Sequence, residues 1–166
     1  MEDYLEKKRA AFPRFYFLTN DELLEILSQT RNAQAVQPHL SKCFDSIKKI
    51  EFSAEKNSVE ILGMWSLEGE YVAFSESVYA VGAVEDWLGK IEAMMRQSIY
   101  DITKSAFQQY PSDGTQRDEW LFNYAAQPVL TIDMVYWTAG VTHAIMEIQS
   151  GRENDALKSF RNFSEN

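Results

Sequence analysis

The sequence predicts an α+β fold, predominantly helical: a helical bundle or arch with an inserted three-stranded antiparallel β-meander. Three observations carry this reading. Apolar residues recur at helical spacing in residues 1–45, alternate in residues 46–80, and return to helical spacing in residues 81–166. β-Branched and aromatic residues crowd the middle stretch. Turn residues punctuate the changes, as in Glu68-Gly69 and Tyr110-Pro111-Ser112-Asp113-Gly114.

Residues 2–11 read as a helix closed off by Pro13, because a proline disfavours helical geometry in the residue before it. After the aromatic run, Thr19-Asn20-Asp21-Glu22 has the pattern of a capping box, with Leu23, Leu24, Ile26 and Leu27 following as an apolar face. Arg31 to Asp45 reads as short helical pieces restarted at Pro38, which a first helical turn tolerates. Ile47, Ile50 and Phe52 lead to a polar tip at Ala54-Glu55-Lys56-Asn57. SVEILGMWSL and EYVAF then supply two more strands across Glu68-Gly69. Gly63 inside the middle strand predicts a bulge or a close backbone approach.

From Ala83 the pattern is helical again. Val84, Trp87, Leu88, Ile91, Met95, Ile99, Ile102 and Ala106 form one continuous apolar stripe. Thr115 and Asp118 offer the next helix start, and Pro128 either opens a helix or kinks a longer one. Beyond it, Met134, Trp137, Val141, Ile145 and Ile148 make one stripe; Ile132, Tyr136, Ala139 and Met146 make another. A helix apolar on two sides is expected to be largely buried. Leu157, Phe160 and Phe163 then lie at helical spacing with little chain left to cover them, as in a segment truncated at its C-terminus.

The chain has the size of one domain, and its 45% apolar and 13% aromatic content argues against disorder. A net charge of −9 disfavours binding to nucleic acid or an anionic membrane, with Lys7-Lys8-Arg9 the local basic exception. No apolar run approaches a membrane span, and the charged start does not resemble a secretory signal. Cys43 stands alone, which fits a reducing compartment such as the cytoplasm.

Motifs of catalysis are missing. There is no phosphate-binding loop, since Gly89-Lys90-Ile91 falls inside a predicted helix, and no G-x-S-x-G, H-E-x-x-H or EF-hand pattern. His39 and His143 read as structural histidines. His39 and Cys43, at i and i+4, do not make a zinc site on their own. Glu68 and Glu70 read as a solvated hairpin turn, and Trp65, Trp87, Trp120 and Trp137 as core anchors, with room for one at an interface. No catalytic, cofactor or metal residue is assigned.

Five blocks resemble the linker region of dynein heavy chains. They are KRAAFPRFYFLTNDELLEILSQT, AVQPHLSKCFDSIKKIEF, MWSLEGEYVAF, VEDWLGKIEAMM and EWLFNYAAQPVLTIDMVYWT, in the family's order and across almost the whole chain. EILGMWSLEGEYVAF and VEDWLG look closer to axonemal than to cytoplasmic heavy chains. Pro128 and Ile132-Asp133-Met134 depart from the family pattern and put the local helix geometry in question.

The resemblance implies that residues 1–166 are a single segment of a non-catalytic lever, coupling ATP-driven changes in an AAA+ ring to a power stroke. ATP would bind at the ring of the parent chain, and no cofactor in this segment. Implied partners are the ring and the remaining linker, other dynein subunits, and microtubules through the parent chain alone. The implied location is the cytoplasm and cytoskeleton, in the axoneme of a cilium or flagellum. A lever carries force without yielding, so Phe12, Pro13, Phe15, Tyr16 and Phe17, with the Thr19–Glu22 cap, are expected to lock a corner between two helices. Trp65, Glu68, Gly69 and Glu70 are expected to offer a contact to the ring or a neighbouring linker element. The rival readings are a free-standing cytosolic protein-interaction module and a small enzyme whose site forms only in three dimensions.

Overall fold

The structure, a computed structural model, describes residues 2–28, 32–55, 58–111 and 117–164. Lys56 and Asn57 of the expected polar tip, Ser112 to Gly114 of the expected loop, and the start signal at Thr115 lie outside the described residues. Among those described are α1 (Glu2–Ala11), α2 (Asn20–Ser28), α3 (Leu40–Cys43), β1 (Ile47–Phe52), β2 (Glu60–Ser66), β3 (Tyr71–Tyr79), α4 (Val84–Gln108), α5 (Arg117–Asn123), α6 (Ala126–Gln149) and α7 (Ala156–Ser164). Two 3-10 segments, Pro13–Phe17 and Ala33–His39, precede α2 and α3. The class is α+β and mainly helical. The chain resolves into two compact units, residues 1–98 and 99–166, divided within α4.

In the first unit, the sheet order is β1-β2-β3 with both pairings antiparallel. Ile50, Met64 and Val72 face one another across the three strands and are buried, as are Ile61 and Val78. The outer row is Lys49, Trp65 and Tyr71. Register slips at Leu62: one β2 residue separates Ile61 from Gly63, whereas their β3 partners Val78 and Ala73 are separated by four. Gly63 is there because a Cβ would meet the Tyr71 hydroxyl and the Val72 carbonyl at 2.6 Å each. Bulge and close approach coincide.

Both open edges of the sheet are occupied by side chains. The Gln37 amide donates to the Ile50 carbonyl (2.8 Å) and accepts from the Ile50 N–H (3.2 Å), as a neighbouring strand would. On β3, the Ser75 N–H donates to the hydroxyl of Ser98 (2.9 Å). Ser98 is a buried polar residue in the stripe of α4, where Val84, Trp87, Leu88, Ile91 and Met95 are also buried. Pro38 lies inside the 3-10 segment and α3 begins at Leu40, so the helix restarts two residues later than the proline suggested.

In the second unit, Ala106, Trp120, Val129 and Ile132 form the buried centre, ringed by Tyr110, Tyr124 and Tyr136. Tyr110 stacks on Tyr136 (3.8 Å between ring centres), and the Trp120 indole donates to the Ala106 carbonyl (3.0 Å). Arg117 pairs with Asp133 at 2.7 Å. Pro128 is the third residue of α6, where its missing N–H has no helical partner to lose, so it opens the helix rather than kinking one. Ile99 and Ile102 of the α4 stripe are half-buried.

The expectation that α6 is buried on two sides is corrected. Val129, Ile132 and Ala144 are buried, but Leu130, Met134, Trp137, Ile145 and Met146 are exposed. One side of α6 meets the aromatic centre and α7, and the described residues of the second unit offer no third layer for the other. The tryptophans divide accordingly: Trp87 and Trp120 are core, Trp65 is half-buried, and Trp137 faces outward.

Candidate functional site

The aromatic corner is built from local backbone chemistry upward. Phe12 leaves α1 in an extended conformation, and Pro13 supplies the fixed φ for the first position of a 3-10 turn. That turn aims Phe12 and Phe15 inward, edge to face at 4.9 Å, with Phe44 6.2 Å from Phe12. Phe15 is fully buried and Phe12 nearly so. Tyr16 and Phe17 point outward, so two of the four aromatics expected in the corner are not core. A 3-10 turn has three residues per turn, which puts Phe12 and Phe15 on one side and leaves Tyr16 and Phe17 off it. Tyr16 instead donates its hydroxyl to Glu6 of α1.

Thr19 and Glu22 form the capping box: the Glu22 N–H donates to the Thr19 hydroxyl (3.3 Å), and Glu22 accepts from the Thr19 N–H (3.0 Å). Lys42 also pairs with Glu22. This pairing, with the Thr19 N–H, holds the Glu22 carboxyl at a pKa of about 2.

Two arginines hold the corner together: Arg9, read above only as part of a local basic run, and Arg14, which the sequence reading passed over. Arg9 of α1 donates to the Leu18 carbonyl (3.2 Å) and the Asn20 side chain (2.8 Å), spanning the turn. Arg14 lies over the Phe44 ring (4.8 Å), donates to the Cys43 carbonyl (2.9 Å) and pairs with Glu92 of α4 (3.2 Å). Arg14, seconded by Arg96, draws the Glu92 carboxyl below its ordinary pKa. Lys8 pairs with Glu85 one stretch earlier on α4, a contact that raises the lysine's pKa. The missed signal was an arginine set between aromatics, a position where a guanidinium can stack and bridge at once.

At the meander, Trp65 packs against Tyr71 (5.0 Å), beneath the Lys49 ammonium (4.9 Å), and its indole donates to Glu51. Glu68 and Gly69 form an exposed tip, with Gly69 at φ +91°. That backbone is easy only for glycine. Glu70 follows with its N–H on the Ser66 hydroxyl (3.0 Å). Trp65 and this tip therefore belong to one hairpin, but the tryptophan lies on the sheet's outer surface and the glutamates at its end.

His39 is buried with its Nε2 3.5 Å from Glu25, and burial raises the Cys43 thiol to a pKa of about 11. A thiol so protonated is a poor nucleophile and a poor ligand. His143 is exposed, 3.8 Å from Glu147. Among the described residues, no three His, Cys, Asp or Glu side chains gather as a metal site would require.

Residues 1–106, which contain the corner, the meander and most of α4, match the family described as dynein heavy chain, N-terminal region 2. The chain belongs to the dynein heavy chain family. This heavy-chain segment is 42% identical to human dynein axonemal heavy chain 2 across 95% of its length, which is 4% of the relative. Identity is 44% to human dynein axonemal heavy chain 6 (96% of the segment, 4% of the relative). To mouse dynein axonemal heavy chain 1 it is 47% (87% and 3%). The segment thus spans a few hundredths of the length of the heavy chains it matches.

Proposed function

We propose that the segment is a non-catalytic mechanical element, a linker or lever, of a dynein heavy chain. In this reading it couples ATP-driven changes in the AAA+ ring to the power stroke along a microtubule. The observation that carries the reading is the match of residues 1–106 to the heavy-chain N-terminal region, over the residues that build the cross-tied corner. A lever must resist bending. Arg14 and Lys8 each tie the N-terminal corner to α4, and two buried rings fill the turn between α1 and α2. Close packing with charged cross-ties is how a short helical element gains stiffness.

The segment itself takes no cofactor in this proposal, and ATP acts at the ring of the parent chain. Its partners are that ring, the rest of the linker and other dynein subunits; microtubules are reached through the parent chain. Relatives named as axonemal heavy chains favour the cytoskeleton of a ciliary or flagellar axoneme as its location. The Glu68-Gly69 tip, with Trp65 behind it and Glu70 at its base, is the surface proposed to touch the ring or a neighbouring linker element.

The test is a full heavy chain carrying Lys8→Ala and Arg14→Ala, assayed for ATPase and microtubule gliding. The lever reading expects ATPase to be retained while gliding slows. Unchanged gliding, or both activities falling in equal proportion, overturns it.

A further inference from the structure

We propose that the groove between the far edge of β3 and α4 binds an extended, acidic segment of a separate protein, which adds to the sheet as a further strand. The groove has a volume of about 530 Å³ and lies within the first unit. Ser77, Tyr79 and Val81 line it on one side, and Lys90, Ala93 and Met94 of α4 on the other. Val81 is 63% exposed and Tyr79 55%, so an apolar lip stands in water beside the half-buried Met94.

The backbone sets which way this edge faces. The Ala80 N–H donates to the Val59 carbonyl (2.8 Å), which makes these two a hydrogen-bonded pair. One step along, Tyr79 stands opposite Glu60, whose carbonyl is turned to β1 and accepts from the Ser53 N–H (2.9 Å). Antiparallel pairs alternate, so Tyr79 directs its N–H away from β2 and toward the groove. Elsewhere the sheet covers its own edges, with Gln37 at Ile50 and Ser98 at Ser75. Beside Tyr79, α4 presents Ala93 and Met94, which bring no oxygen to a backbone N–H, and Lys90, which can only donate.

That chemistry selects the occupant. An outward N–H between apolar side chains is matched by a chain that brings carbonyls in its own plane, which an extended strand does; a helix has spent its carbonyls internally. Lys90 selects the charge. It is exposed and, among the described residues, in no ion pair, whereas Glu85 and Glu92 of the same helix are both paired. In a chain of net charge −9, a cation left to itself at the rim of a groove is complementary to an incoming carboxylate. Alternate apolar residues of the strand would then lie against Val81 and Met94. Both walls come from consecutive elements, so the groove forms wherever this unit folds. The inference stands apart from the lever role, and a failed motility test would leave it standing.

The experiment titrates the full heavy chain into a fluorescein-labelled peptide of about seven residues, valine and serine in alternation around a central glutamate, and follows anisotropy. Saturable binding is expected. Lys90→Glu is expected to weaken it about fivefold, and a probe with lysine in place of its glutamate to regain the loss on that variant. Of two further probes, methylated on the odd or on the even backbone nitrogens, one is expected to bind about tenfold more weakly than the other, because a strand turns only alternate N–H groups to its neighbour. No saturable binding overturns the proposal, as when a segment of the same polypeptide fills the groove. So does binding that ignores Lys90→Glu, or that treats the two methylated probes alike.

Discussion

Gln37 and Ile50 are joined by a reciprocal pair of hydrogen bonds, in which a side-chain amide takes the place of a strand on the open edge of β1. An unguarded edge presents a row of backbone donors and acceptors to any other chain. Gln37→Ala is expected to cost about 1–2 kcal/mol, the value of two partly buried hydrogen bonds net of water. The variant should also self-associate more readily as concentration rises. Urea denaturation and light scattering check the two effects separately.

The corner makes a prediction with an internal control. Phe15→Ala removes a ring that is fully buried against Phe12 and should cost ~3–5 kcal/mol. Phe17→Ala, two residues away on a ring that is 69% exposed, should change stability by less than about 0.5 kcal/mol. Equal losses in a denaturant series would mean that the outward ring shares in the lock.

Gly63→Ala should destabilise by about 1–3 kcal/mol, because the new methyl meets a backbone carbonyl that cannot swing aside. Adding Tyr71→Phe relieves the contact with the hydroxyl but leaves those with the ring's Cε2 (2.7 Å) and the Val72 carbonyl. The double variant should therefore recover only part of the loss in thermal denaturation.

Glu22 predicts an acid limb. Its folded pKa of about 2 lies below the ordinary 4.5, so its contribution is present above the unfolded value. That contribution is lost as pH falls from about 4.5 through about 2. Glu22→Gln should flatten this part of the curve and leave neutral pH behaviour with a weaker cap. Urea midpoints between roughly pH 6 and pH 2 read it directly.

Most of the architecture was legible because it rests on local rules. The capping box at Thr19 and Glu22, the three strands and the slip at Gly63 follow from residue spacing and backbone sterics, which a sequence displays. What was not legible depends on distant partners. Nothing local in FPRFYF says which rings turn inward; the 3-10 period of the turn decides it. The bridging of Arg14 to Glu92 joins residues 78 apart, beyond the reach of any local pattern. Ser98 did leave a trace: it is a hydroxyl at an apolar position of the α4 stripe, four residues before Ile102, and such a break marks a side chain with a backbone to satisfy. The buried α6 failed for the opposite reason, since an apolar pattern states what a surface needs and not whether the neighbour is at hand.

The Arg14–Glu92 tie also sets an order on the ribosome. The meander's strands follow one another in sequence and pair with their immediate neighbours, so the sheet's hydrogen bonds can form from short loops soon after the residues emerge. Within residues 1–98 the N-terminal corner is made first and finished last. Its aromatics can cluster early, but Arg14 and Lys8 wait for Glu92 and Glu85, more than seventy residues downstream. Until α4 emerges, Lys8 and Arg14 lack their carboxylate partners, so the corner stays untied at that end, the condition in which chains are most open to chaperones and to misassembly.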